Sequence, residues 1–385
     1  MAERTRFHNI FFVGIDVDSM GGSQRVLHTL AQGMGEHGHS VELIGIRPSP
    51  EPFPYNGTER AYAHRTLYEA PKQDLPKPRT LTDRLSPSRL SANRRTRAAR
   101  DRARAILRNR FAAVGDGYVV FGSPWAVDWA LPVAWGRLKG IGQYHESFEQ
   151  ARRSANLRLM QRHYGKLEKT LVLSEEDAAR FCSAHLPNVA VMPNPLPFFP
   201  EQQAALSSKK IGAVGGLHPV KCYDRLIEAF ALCSSRRPGW ELHLFGHGPM
   251  EDELRRTAAE HGVGNRVVFR GAVQDMRAVY TELSMIALSS EAEGRPMALA
   301  EAAACGVPAV AFDVSGGVRE IVSDGRTGTL VPPGDVAALA NSLGQMMDDD
   351  GLRARYALAA RRHVQQFALP AVLNRWHELF DELDR

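Results

Sequence analysis

Short apolar runs recur along the chain and are separated by stretches with helical spacing. They predict strands over 9–15, 40–46, 117–121, 169–173 and 189–192, and then over 209–214, 240–245, 265–269, 284–288 and 307–311. The runs are rich in Val, Ile, Leu and Phe and do not alternate strictly with polar residues, as expected of parallel strands covered on both faces. Apolar residues at helical spacing predict helices over 224–236 and 249–261, and an amphipathic one over the tail 369–384. Strands alternating with helices specify the fold class α/β with parallel sheets.

One break interrupts this rhythm. Four prolines fall within Pro193–Pro200, and the polar stretch EQQAALSSK follows. Neither a helix nor a central strand survives that density of proline, so the segment reads as an interdomain linker. The boundaries are a first domain at 1–195 and a second at 205–365. A Pro- and Arg-rich stretch from about 47 to 92 reads as a long irregular excursion from the first domain, and the basic insertion as a whole runs to about 110. A length of 385 residues agrees with two cores rather than one. In such proteins ligands bind at the carboxyl ends of the strands, here in a central cleft between two sheets.

Composition narrows the class. With 44% hydrophobic and 24% charged residues the chain is that of a soluble globular protein. No apolar run approaches the roughly 20 residues of a spanning helix, and Asn9–Ile15 reads as a buried first strand rather than a signal peptide. Cys182, Cys222, Cys233 and Cys305 are scattered and form no CxxC pair, so neither a disulfide framework nor a metal site is expected and a cytoplasmic location is the default.

Charge adds one feature. Between Lys77 and Arg110 there are 12 Lys and Arg against two acids, so this segment carries an excess of +10 within a chain whose net charge is +5. Such asymmetry points to an anionic partner. Arg94, Arg95, Arg97 and Arg100 are the candidates for docking on an acceptor or on an anionic membrane surface at the inner face of the membrane. The same run also reads as a solvated helix face. Nucleic acid is disfavoured, because no aromatics are interleaved for base stacking.

Three glycine-bearing turns carry candidate chemistry. Gly21 and Gly22 follow the first strand and open a helix, where bare backbone can approach a ligand. The G-x-G-x-x-G spacing is absent, and the second strand ends at Gly45-Ile46-Arg47 without an acid for a ribose, which argues against a nicotinamide cofactor. Gly215 and Gly216 precede Lys221 and a helix, an arrangement suited to a diphosphate although it is not a P-loop. The third element is E-A-E-G-R-P-M-A-L-A-E-A over 291–302. Pro296 sits near the first position of a helix, whose unpaired amides around Gly294 to Met297 suit a phosphate. Glu293 lies just before that helix and Glu301 about two turns further on, so at 1.5 Å per residue they stand about 12 Å apart along its axis. That exceeds the roughly 5–9.5 Å of a glycosidase carboxylate pair. Two carboxylates so spaced can grip the ends of one extended ligand, with a sugar at one end, a ribose at the other and a diphosphate between.

Further motifs occur in order: G-G-S-Q-R (21–25), S-E-E-D-A (174–178), P-N-P (193–195), V-G-G-L-H-P-V-K (214–221), G-H-G-P (246–249), V-F-R-G (268–271), C-G-V-P (305–308), G-G-V-R-E-I-V (316–322) and T-G-T-L-V-P-P-G-D (327–335). With E-x7-E at 293–301, the whole chain resembles the retaining, nucleotide-sugar-dependent glycosyltransferases of family 4. The resemblance implies the GT-B fold: two Rossmann-like doubly wound domains facing a cleft, the first binding acceptor and completed by a C-terminal helix at about 366–385, the second binding donor. It implies transfer of a hexosyl group to a lipid-linked, cell-wall or other glycan acceptor, with no cofactor beyond the nucleotide sugar, no metal, and a lean toward UDP. By the same resemblance Glu293 contacts the donor sugar, the backbone of Gly294, Arg295, Pro296 and Met297 holds its diphosphate, Glu301 binds the ribose, Lys221 neutralises the diphosphate and the Arg270 backbone meets the base. Gly21 and Gly22 form a loop near donor phosphate and acceptor, and His145 lines the active site. One departure stands out: Gly216 occupies the position of a family arginine that partners the lysine, and Arg225 and Arg295 are candidates to replace its charge. A silent GT-B subunit bound to a partner transferase, or another GT-B enzyme such as an epimerase, are the alternatives.

Overall fold

The computed structural model describes residues 7–55, 59–69 and 87–385, the side chains of 87–89 excepted. Two all-parallel sheets organise it. The first contains β1 (Asn9–Gly14), β2 (Ser40–Gly45), β3 (Ala63–Thr66), β4 (Gly117–Phe121), β5 (Leu138–Gln143), β6 (Lys169–Val172) and β7 (Val189–Val191), in the spatial order β3-β2-β1-β4-β5-β6-β7. The second contains β8 (Lys210–Val214), β9 (Glu241–Phe245), β10 (Val267–Gly271), β11 (Met285–Leu288), β12 (Ala309–Phe312) and β13 (Gly328–Val331), in the order β10-β9-β8-β11-β12-β13. Both sheets therefore reverse direction beside their first strand, between β1 and β4 and between β8 and β11. That reversal opens a crevice at the strands' carboxyl ends.

Burial explains the unbroken apolar strands. Along β1, Phe11 and Val13 join one core while Ile10 and Phe12 join the other. A strand covered on both sides has no polar face to alternate with. Every expected strand is present, but three others are additional: β3, β5 and β13. Strand β3 reads Ala-His-Arg-Thr at the sheet edge, with exposed and half-buried residues alternating, so it lacks an apolar signature. It falls inside 47–92, so that stretch is not irregular throughout. Glycines dilute β5 (Leu-Lys-Gly-Ile-Gly-Gln).

The proline-rich linker crosses the returning chain. Leu196 N–H donates to the Phe367 carbonyl at 2.8 Å, immediately before the helix Leu369–Asp384. That helix packs on the first sheet. Trp376 is fully buried against Phe12, and Phe380 stacks on Tyr118 at 4.3 Å. Helix α1 (Gly22–Glu36) lies against it at Gly33, where a Cβ would come within 2.9 Å of Leu373.

The basic run forms helix α2 (Pro87–Ala112), anchored by buried Ala103, Leu107 and Phe111. Arg94, Arg95, Arg97 and Arg100 are exposed on it, and Arg110 is committed to Glu42 at 2.7 Å. Lys77, Arg79 and Arg84 of the same charge excess lie outside the described residues. Among the described residues no helix is long and apolar enough to cross a membrane.

Candidate active site

The main cleft lies between the two sheets and encloses about 490 Å³. Its floor is built from turns at the carboxyl ends of β8 and β11. After β8 the chain passes Gly215 (φ +154°) and a short turn, Pro219–Lys221, before the helix Tyr223–Ser234. The loop after β11 is fastened to that turn: Ser289 Oγ donates to the Lys221 carbonyl at 2.8 Å, and Glu291 N–H to Val220 at 2.9 Å. These bonds bring together groups 72 positions apart. Lys221 Nζ lies 2.7 Å from Glu293 Oε1, and Ser290 Oγ donates to the same oxygen at 2.6 Å.

The helix Met297–Ala304 starts after Pro296, so only Glu301 is on it and Glu293 stands in the loop before it. The helical-rise spacing of the two carboxylates therefore does not apply, although both line the cleft. Met297 and Ala298 also line it, and their amides, in the first turn of the helix, have no preceding helical carbonyl to bond. Gly294 has a packing reason. A Cβ there would fall 2.5 Å from the His145 carbonyl oxygen of the first domain, so only glycine lets the two domains close to this distance.

Glu301 is buried. It accepts from Tyr280 Oη at 3.0 Å and from Arg25 Nη1 at 3.4 Å, the latter reaching across from α1. Burial raises its carboxyl pKa, against the pull of Arg25 and Tyr280. Arg25 is the chief residue missed from sequence; it stood within the G-G-S-Q-R motif, but nothing local marks a partner 276 positions away.

The glycine loop is braced from below by the Tyr55 hydroxyl, which accepts from Gly21 N–H at 2.8 Å. At Gly22 an added Cβ would meet nothing within 4 Å, so packing inside the protein does not require glycine there. His145 is held through Nδ1, 3.1 Å from Asn194 Oδ1, and burial pushes its pKa down to about 4. It is neutral near pH 7; with Asn194 presenting its oxygen, Nδ1 carries the proton and Nε2 is left as an unpartnered acceptor.

Neither candidate for the charge missing at Gly216 supplies it. The Arg295 guanidinium turns away from the cleft and is buried: Nη1 donates to the Leu173 carbonyl at 3.0 Å, Nη2 lies 3.1 Å from Glu320, and the group covers the Phe367 ring at 3.8 Å. Burial pushes its pKa down to about 10. Arg225 lies beside Gly334 and is not among the cleft residues. The space beside Gly216 is taken by His218, whose ring would sit 2.7 Å from a Cβ there. Arg270, one residue before the end of edge strand β10, is outside the lining, while Ala272 and Val273 just after the strand line the cleft.

A cleft at two matching switch points, with glycine turns, a lysine–carboxylate pair and a buried carboxylate, agrees with the family comparisons. The family described as Glycosyltransferase Family 4 matches residues 20–197, and that described as Glycosyl transferases group 1 matches 197–363. The chain belongs to the family-4-like glycosyltransferases, with the GT-B fold. It is 37% identical over 198 residues to an exopolysaccharide phosphotransferase of Streptomyces coelicolor, covering 51% of this chain but only 21% of that protein's length. An uncharacterized glycosyltransferase of Haemophilus influenzae is 24% identical over 95% of this chain and 98% of its own. Among solved structures, a TarM mutant of S. aureus in complex with fondaparinux, alpha-GlcNAc-glycerol and UDP superimposes with a TM-score of 0.75 at 13% identity. That superposition covers 97% of this chain and 100% of the other.

Proposed function

We propose that this glycosyltransferase moves a hexosyl group from a UDP-linked sugar to a hydroxyl of a lipid-linked, cell-wall or other glycan acceptor, with retention at the anomeric carbon. The observation that carries the proposal is the convergence of Lys221, Glu293, Glu301 and the first amides of the helix Met297–Ala304 on one cleft. The lean toward uracil draws support from the solved TarM complex, which holds UDP.

In this reading the diphosphate displaces Glu293 from Lys221 and takes the ammonium together with the helix amides. The negative charge that develops on the leaving group is thereby stabilised by groups already in place. Glu293, released from Lys221, accepts hydrogen bonds from hydroxyls of the transferred sugar, and Glu301 does so from the ribose. The acceptor oxygen attacks the anomeric carbon on the face from which the diphosphate departs. The carbon–oxygen bond to phosphate breaks, and the acceptor proton passes to the departing phosphate oxygen. No protein base or metal ion is needed for that step. Neutral His145 orients a hydroxyl through Nε2. Closure of the two domains excludes water and limits donor hydrolysis.

Nucleotide release with a panel of UDP-, GDP- and ADP-sugars tests the reading. Release from a UDP-sugar, stimulated by an acceptor hydroxyl and lowered about 10²–10³-fold by Lys221→Ala, is expected. Silence with every donor from a folded protein would instead favour a non-catalytic subunit, which the missing charge at Gly216 would then explain. Interconversion of the donor without transfer would indicate an epimerase.

A further inference from the structure

A second cavity of about 610 Å³ opens in the first domain at its own switch point, between the carboxyl ends of β1 and β4. That volume is within the roughly 300–1,000 Å³ of small-molecule sites. Ser23, on the first turn of α1 beside the glycine loop, lines both this cavity and the main cleft, so the two spaces meet there. A ligand seated here can pass a hydroxyl over that loop to a donor in the cleft.

Arg47, Arg100 and Arg104 surround the cavity, together with Trp125 and Trp129. Arg104 donates through Nε and Nη2 to the Trp129 carbonyl at 3.1 and 2.9 Å and lies over the Trp129 ring at 5.4 Å. These contacts fix the guanidinium without neutralising it. Among the described residues neither Arg47 nor Arg100 has an ion pair, and Arg100 repels Arg104. Two carboxylates also line the cavity: Asp16, whose Oδ1 accepts the amides of Asp18 and Ser19, and Asp128, which lies 2.9 Å from His163 and, with Asp101, attracts Arg104. Three guanidiniums against two carboxylates leave the lining with an excess of one positive charge. Trp125 is 50% exposed at the rim, its Nε1 fixed to Asn156 at 2.9 Å. An exposed, oriented indole gives the C–H face of a sugar or polyol a flat apolar partner, and guanidiniums grip phosphate with paired N–H donors.

We infer that this cavity is the acceptor site and takes a phosphate-bearing sugar or polyol, the phosphate held by Arg47, Arg100 and Arg104 and the carbon skeleton resting on Trp125. The inference rests on the glycosyltransferase reading above and specifies its acceptor. The phosphate belongs either to a soluble glycan phosphate or to a lipid headgroup. Arg100, among the basic residues singled out from sequence, points to this pocket; Arg47, Arg104 and both tryptophans become visible only in the fold.

The full chain, saturated with UDP to block the donor cleft, is titrated with glycerol 3-phosphate, inositol 1-phosphate and glucose 6-phosphate, and with the unphosphorylated parent compounds, following tryptophan fluorescence. Parallel sedimentation uses vesicles containing phosphatidylinositol or phosphatidylcholine alone. At least one phosphorylated probe, or the inositide vesicles, should bind more tightly than its unphosphorylated counterpart. Arg47→Ala and Arg100→Ala should each weaken that binding roughly 10- to 100-fold, as expected for losing a charge-assisted contact. UDP affinity should stay within about twofold. Binding by soluble probes alone assigns a glycan phosphate, and binding by inositide vesicles alone assigns a headgroup. Equal binding of parent and phosphorylated compounds, binding untouched by either substitution, or no binding in any arm overturns the assignment while leaving the donor reading intact. Failure of the wild-type chain to bind UDP overturns both.

Discussion

The two sheets share one strand order, extended by a single strand in the first, yet they differ in what joins the strands. Along the second sheet the turns are short, and the glycines at 215 and 246 pack on each other's backbone. A Cβ on Gly246 would fall 2.1 Å from the Gly215 carbonyl oxygen. Along the first sheet the path from β2 to β4 takes in β3 and the 26-residue helix α2, and it supplies the guanidiniums of the second cavity. The tight turns leave one arrangement of backbone amides and Lys221, suited to a ligand of fixed chemistry. The long excursion carries binding groups on side chains, which can be exchanged without disturbing a turn.

Four perturbations probe this division: three substitutions, from the largest expected effect to the smallest, and a change of pH. Trp376→Ala removes the fully buried anchor of the C-terminal helix and should cost about 3–5 kcal/mol, felt by the first domain. Thermal unfolding should split into an early transition and an undisturbed late one; a single shifted transition would mean that the domains unfold as one. Lys221→Ala should lower kcat for transfer about 10²–10³-fold, by removing charge from the departing diphosphate. Steady-state kinetics should show affinity for the phosphorylated acceptor nearly unchanged.

Arg25→Ala has a smaller effect because the arginine is partly exposed. It leaves the Glu301 carboxylate buried without its cation, and UDP affinity should fall about tenfold. Adding Glu301→Gln should recover stability but not UDP binding, a double-mutant cycle that separates the cross-domain pair from the ligand contact. The fourth perturbation is pH. His28, His39 and His145, all in the first domain, are pushed down to about 4 by burial. Between pH 6.5 and 4 their unfolded forms bind protons that the folded forms do not, so stability rises with pH across that window and is lost on acidification. The slope is at most about 1.4 kcal/mol per pH unit for each histidine. Urea unfolding at pH 7 and 5 should show the first domain weakening more than the second, and His39→Phe should flatten the difference.

Much of the fold was legible because doubly buried strands leave continuous apolar runs; Asn9–Gly14 and Met285–Leu288 are examples. Edge strand β3 was not, since exposure removes that signature. The candidate site was legible where a motif carries its own geometry. Lys221 and Glu293 were both identified, but their 2.7 Å contact depends on hydrogen bonds between loops that no local pattern records. Arg295 shows the converse: its place in the motif suggested a cleft cation, whereas burial beside Phe367 and Glu320 directs it elsewhere. Side-chain direction after a turn is set by tertiary packing, which spacing along the chain does not encode.

The account rests on the donor being held by the second domain's tight turns, and amide hydrogen exchange of the full chain with and without UDP tests this most directly. Protection should appear at 215–222 and 294–300, with residues 95–130 of the first domain unchanged. Protection confined to the first-domain cavity, with 294–300 exchanging as before, would contradict it.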